Sequence, residues 1–187
     1  LGDNIQFGNS LVSQTELNGI SGANRQMMEI APFDWSTINN GCGFDVIIGN
    51  PPYVNTEGMH ALLPSAEVEV YKKKYKTSHK QFDKYFIFIE QAINKINENG
   101  LVCYIVPNKF FKIGAGEKLR NLIAKERMLV SLDDFGDAQL FEDKTIYSSI
   151  ILLSKAKQTS FVYSSVDSAN KLWAGEEVSS IELNSSV

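Results

Sequence analysis

The chain has 187 residues, 43% of them hydrophobic and 21% charged, with a formal net charge of −4. That composition supports one globular domain with a real core and excludes binding to nucleic acid by bulk positive charge, since phosphate contacts need Lys and Arg. No apolar run approaches the ~20 residues that cross a bilayer, and the start LGDNIQFG has neither the basic lead nor the apolar centre of a signal peptide, so a cytoplasmic location is expected.

In chain order, Asn4 to Phe7, closed by Gly8-Asn9, reads as a short strand and its turn, and Ser13 to Asn40 as a long connection holding one weak helical piece. Phe44 to Ile48 has the length and β-branched richness of a buried parallel strand, and Gly49 followed by two prolines stops it. Asn55 to Lys80 is too long for a plain connector, and segments of that size in compact domains are usually functional or mobile. Phe82, Phe86, Ile89, Ile93 and Ile96 recur at helical spacing, so a helix is predicted from Phe82 to Asn97, stopped by Asn99-Gly100. Leu101 to Val106 is another buried strand, closed by Pro107, and Glu117 to Lys125 a helix with Leu119, Leu122 and Ile123 on one side. Leu129 to Leu132 and Ser149 to Leu153 are strands, with a further one at Phe161 to Tyr163 in a Ser-rich tail. This alternation predicts an α/β fold: a mostly parallel, Rossmann-like sheet with helices on both faces.

The stretch FDVIIGNPPYV carries the chemistry. In open α/β sheets the loop at a strand's carboxyl end faces the crevice where ligands collect. Asn50 offers a neutral carboxamide oxygen as acceptor, the ring of Pro52 removes an N–H that could occupy a neighbouring carbonyl, and Tyr53 supplies a flat aromatic face. Together they suit a planar amine, although N-P-P also serves as an ordinary strand-terminating turn. In YKKKYKTSHK, Lys72, Lys73, Lys74, Lys76 and Lys80 crowd around Tyr71 and Tyr75, which reads equally as a solvated face or a phosphate-tracking patch. His60 and His79 read as bystanders. Cys42 and Cys103 lack metal-ligand spacing and read as structural thiols, and no metal is expected.

The strand with Asn50-Pro51-Pro52-Tyr53 resembles motif IV of the S-adenosylmethionine-dependent amino-methyltransferases. The resemblance implies that the Asn50 side chain and the Pro51 carbonyl accept hydrogen bonds from an NH2 group while Tyr53 stacks on the plane that bears it. An aromatic amine is a poor nucleophile because its lone pair is delocalised, and two acceptors favour the geometry in which that pair points at the sulfonium methyl. Catalysis is then mostly positioning and electrostatics. Further segments resemble, in order, the motifs of adenine-specific DNA methyltransferases of restriction-modification systems. QFGNSL is similar to the turn after the third strand, with Asn9 at the position near the cofactor's adenine. Phe33 to Trp35 resembles a linker of that group, DKYFIFIEQAINKINENG the helix after the catalytic motif, and GLVCYIVPNKFF the next strand and loop. FEDKTIYSSIILLSK resembles a turn that brings a second aromatic, here Phe141.

The resemblance covers about Asn4 to Lys155 and implies a flipped adenine held between Tyr53 and Phe141, with Asn50, Pro51, Pro52 and Tyr53 catalytic. It implies S-adenosylmethionine as cofactor, touched by Asn9 and Asn50, and double-stranded DNA as partner, its phosphates facing Lys72, Lys73, Lys74 and Lys76. Phe141 also reads as a core aromatic at a strand entrance, Asp83 as a helix cap and Asn108 as a turn residue. The family's glycine-rich first motif has no counterpart, because Gly41-Cys42-Gly43 precedes the catalytic strand and opens no helix. Residues 1–155 are therefore expected to be a partial methyltransferase domain that starts at the third strand, and 156–187 a tail leading toward a target-recognition domain. On this reading the partners include the rest of a longer polypeptide, with a fused nuclease compatible. The strand at Asn4 to Phe7 is expected to be detached, and the isolated chain to associate, to bind cofactor weakly and to be inactive. A protein glutamine amide methyltransferase and a non-catalytic DNA-binding remnant are the alternatives.

Overall fold

In the computed structural model, which describes residues 4–38, 41–139, 147–166 and 178–185, the Val46-Ile47-Ile48 run forms strand β1 (Phe44–Gly49). β2 (Ile96–Pro107), β3 (Leu129–Gln139), β4 (Tyr147–Ser154), β5 (Ser160–Ser165) and β6 (Ser179–Asn184) complete a sheet in the order β1-β2-β4-β3-β5-β6. β1 and β2 are parallel, as are β3 and β5, while β4 lies antiparallel to both β2 and β3, and β6 to β5. Four of the six strands therefore share one direction. The pairing is mixed because β4 turns back from β3 and inserts beside β2.

Helices α5 (Lys84–Lys95) and α6 (Glu117–Lys125) carry the chain from β1 to β2 and from β2 to β3. Both crossovers step across the sheet in the same sense, and right-handed connections then place both helices on one face. Ile47 of β1 and Tyr104 of β2 share a small cavity with Phe88 and Ala92 of α5. Ile123 of α6 shares another with Leu132 of β3 and Ile151 of β4, and Leu132, Ile151 and Tyr104 are cross-strand neighbours on one face. The opposite face carries Ile48, Cys103, Leu152 and Ser131 in one row. It stays open at β1, where Ile48 is 77% and Val46 51% exposed. Helices on both faces were expected; among the described residues these two crossover helices cover one.

Outside α5 lies a second helical layer. α1 (Gln14–Leu17), α2 (Ala23–Ile30), α3 (Thr56–Leu62) and α4 (Ser65–Lys74) bury Leu17, Ile30, Met59, Val68 and Tyr71 in the same core as Phe86 and Ile89 of α5. The segment Asn55 to Lys80 is thus two packed helices rather than a loop. Its polar ties are buried as well: Tyr71 donates to Glu67, and Lys84 lies 3.4 Å from that carboxylate.

Three boundaries differ from the sequence expectation. Residues 5–7 form no strand, with Phe7 90% exposed, and the strand-like pairing shrinks to a single parallel bridge between Asn9 and Pro32. α5 ends at Lys95, and Asn99-Gly100 lies inside β2 at a register irregularity. A Cβ on Gly100 would stand 2.7 Å from the Phe44 carbonyl oxygen, so the glycine serves strand contact and not a helix stop. The sequence reading places no strand at β6, which lies at the sheet edge with every residue exposed. No helix among the described residues is long and apolar enough to cross a membrane.

Candidate active site

At the carboxyl end of β1, Asn50 is exposed, Pro51 buried, Pro52 exposed and Tyr53 half-buried. The turn brings the Tyr53 hydroxyl back to Asn50, where it donates to Oδ1 at 2.5 Å. The same hydroxyl lies 3.0 Å from the carbonyl of Ile105 in β2. The Tyr53 ring stands edge-on to Tyr85 of α5, with centroids 6.0 Å apart. Burial pushes the Tyr53 phenol up to about 12, so it remains a neutral donor near neutral pH.

The downstream end of the loop is fixed to the start of α5. Lys84 donates its N–H to the Val54 carbonyl at 2.7 Å. The Thr56 hydroxyl donates to the Phe82 carbonyl at 2.8 Å and accepts from the Phe82 N–H at 2.7 Å. Asn55 caps α3 by accepting from Gly58 at 2.8 Å. Asp83 occupies the N-cap position of α5, yet its side chain makes no cap. It is buried and pairs with Lys109 at 2.9 Å, beside a cleft of about 180 Å³ that Asn55, Phe82 and Ile113 also line. Threonine at 56 and the Asp83–Lys109 pair were not legible as site-framing residues, because each acts across a long sequence separation.

The other predicted residues are placed elsewhere or outside the described residues. Asn9 is turned inward: its Oδ1 accepts from the Leu11 N–H at 3.1 Å, and its N–H donates to Ala31 at 2.6 Å. The Phe33 to Trp35 segment anchors this region, with Trp35 edge-on to Phe33 and Phe44 and its indole N–H on the Ser10 carbonyl at 2.8 Å. Lys74 is tied to Glu16 and to the Leu11 carbonyl, both at 2.9 Å, and Lys73 to Glu69 at 2.6 Å. Lys72 lies against His60 at 3.1 Å, and Lys76 is exposed. Phe141 lies outside the described residues. No group of metal-ligating side chains occurs among the described residues.

A parallel β1–β2 pair joined through α5, a reversed β4 beside β2, and N-P-P-Y at the strands' carboxyl ends define an α/β methyltransferase domain. Two solved structures share this fold. A Listeria monocytogenes protein assigned to the class I S-adenosylmethionine-dependent methyltransferases superposes with TM-score 0.53 at 19% identity, over 72% of this chain and 40% of its own. The Type IIL restriction-modification enzyme MmeI, solved in complex with DNA, gives TM-score 0.58 at 16% identity, over 80% of this chain and 20% of its own. Residues 4–141 match the Eco57I restriction-modification methylase family, and the chain belongs to it. The Escherichia coli type II restriction enzyme and methyltransferase RM.Eco57I is 41% identical over 177 residues, 95% of this chain and 17% of that enzyme. The chain therefore spans less than a fifth of the length of this curated relative.

Proposed function

We propose that this chain is the catalytic part of an adenine-specific DNA methyltransferase, transferring a methyl group from S-adenosylmethionine to the exocyclic amine of an adenine turned out of the duplex. The observation that carries the reading is the Asn50 carboxamide, exposed at the end of β1 and bound on its oxygen by Tyr53. A restriction and methylation enzyme is also what the Escherichia coli relative is named.

The loop fits the methyl-bearing end of the cofactor: Pro51 is buried behind it, so Asn50 is the polar side chain turned outward at the strand end. Asn50 would hold that end, whereas the Asn9 carboxamide oxygen is committed to the Leu11 N–H and is not assigned to the cofactor. When bound, S-adenosylmethionine supplies an electrophilic methyl on a sulfonium. The chain's own residues position the acceptor. The Asn50 oxygen and the Pro51 carbonyl take the two amine N–H groups, and Tyr53 and Phe141 hold the base plane, which duplex stacking would otherwise hide. As the new N–C bond forms, positive charge develops on the nitrogen, and fixed acceptors stabilise it without reorganising. The loop offers no charged base, so the surplus proton leaves to solvent after transfer. Lys72 and Lys76 would meet phosphates, and Lys73 would do so by exchanging its exposed partner Glu69, whereas Lys74 is committed to Glu16 and the Leu11 carbonyl. Residues 156–187 would lead toward the part that reads the target sequence, and such an enzyme would work on DNA in the cytoplasm.

Asn50→Ala in the full-length protein tests this. Single-turnover methylation of duplex DNA should slow by roughly 2–4 kcal/mol of barrier, the scale for a preorganised polar group at a developing charge. DNA affinity should change little. A near-normal rate, or transfer to a protein glutamine in place of DNA, would overturn the reading.

A further inference from the structure

We propose that Tyr53 is more than a stacking surface: its hydroxyl is a positioning group that sets which end of the Asn50 carboxamide faces the incoming amine. The inference rests on the methyl-transfer reading above and assigns a separate task to one atom. The two ends of a carboxamide have opposite roles, since the oxygen accepts and the NH2 donates. Only the oxygen end can take an N–H from an amine. Turned over, Asn50 would present donors to a donor, and the terminal torsion of asparagine is soft and two-fold. An exposed Asn50 therefore needs something to fix its sense.

Tyr53 provides it. Its hydroxyl donates to Asn50 Oδ1 at 2.5 Å, so the oxygen end of the carboxamide is the one that faces the hydroxyl. One lone pair of that oxygen is then taken, and the other remains for the amine. The hydroxyl has a single proton, and the Ile105 carbonyl at 3.0 Å is its alternative acceptor. With the proton on Ile105, the hydroxyl oxygen would instead invite the NH2 end of Asn50. Proton position and amide sense are thus linked, and the strand β2 that supplies Ile105 anchors both. The ring's seat against Tyr85 keeps the hydroxyl within reach.

The experiment is a double-mutant cycle in the full-length protein with Tyr53→Phe, Asn50→Ala and the pair, read by single-turnover methylation of duplex DNA. Tyr53→Phe keeps the ring, so the fluorescence of 2-aminopurine at the target position and the KM for DNA should stay as in the parent. The rate should fall about three- to tenfold, the worth of one net hydrogen bond. In the Asn50→Ala background the same substitution should cost nothing further, because there is no carboxamide left to orient. Losses that multiply across the pair, an unchanged rate in Tyr53→Phe, or a lost 2-aminopurine signal would each overturn the proposal. A silent Asn50→Ala would instead bring down the methyl-transfer reading on which it stands.

Discussion

Asn108 donates its side-chain N–H to Asp134 at 2.8 Å, joining the turn after β2 to the far part of β3. It also donates to the Gly136 carbonyl at 3.2 Å, and Asp134 accepts from the Gly136 N–H at 3.0 Å and from the Tyr163 hydroxyl at 3.3 Å. Gly136 has φ 55, a left-handed conformation that the glycine takes without strain. The group holds a bend in β3 that lies five residues before Phe141 in sequence. Removing a buried member leaves its partners short of a bond, so Asn108→Ala should lower stability by about 1–3 kcal/mol. Asn108→Asp sets two carboxylates face to face. Like charges raise the carboxyl pKa of the pair, so the penalty is full at neutral pH and eases as acid protonates one of them. Urea melts at neutral and mildly acidic pH check this, and an equal loss at both would contradict it.

Four tyrosines sit in the core, and burial raises the phenol of each: Tyr104 to about 12, and Tyr71, Tyr75 and Tyr85 further. The sign follows directly. In the unfolded chain a phenol ionises near pH 10, while in the fold it keeps its proton to higher pH. Their contribution is complete below about pH 10 and is lost as pH rises toward the folded values, at about 1.4 kcal/mol per pH unit for each tyrosine that ionises only when unfolded. Thermal melts between neutral pH and the alkaline range should show a steepening loss, and Tyr104→Phe should make it shallower. A flat profile would mean the core admits water.

What could be read from the sequence was what is local. The β-branched run and its proline stop fixed β1, and the apolar spacing of Phe86, Ile89 and Ile93 gave α5, because each signal lies within one element. Asn50 and Tyr53 were legible for the same reason, being three residues apart. The partners that hold them were not. The Ile105 carbonyl and the Thr56–Phe82 pair are backbone groups and a hydroxyl brought in across long separations, and no residue type announces them. α4 was hidden because its buried face includes Glu67, whose charge is met by Lys84 from another helix, and α3 because its short turn of helix buries Met59 alone. Asn9 looked free for a ligand until the turn at Leu11 took its oxygen.

Base capture should depend on the aromatic pair. Tyr53→Ala and Phe141→Ala in the full-length protein should each weaken the flipped state by about 1–3 kcal/mol, the range for one base–aromatic stack. The loss should shrink for a mismatched target, which is already easy to extrude. Fluorescence of 2-aminopurine at the target position reports it. If Phe141→Ala leaves the signal intact while lowering stability, Phe141 is a core residue at a strand entrance.

The outer edge of β1 makes a final prediction. β1 pairs with β2 on one side, and among the described residues it ends the sheet on the other. Its side chains add to the exposure, since Val46 and Ile48 stand in water on the face that α5 leaves open. An unpaired edge with apolar side chains is a template for another strand, and a charged residue on it is the common remedy. The 187-residue chain by itself should therefore associate as its concentration rises. Ile48→Lys should restore a monomer at little cost in stability, because a side chain 77% exposed contributes little to the core. Sedimentation velocity over a concentration series separates the outcomes. Association that Ile48→Lys leaves unchanged would place the sticky surface elsewhere, and a parent chain that stays monomeric throughout would show that the β1 edge is not used.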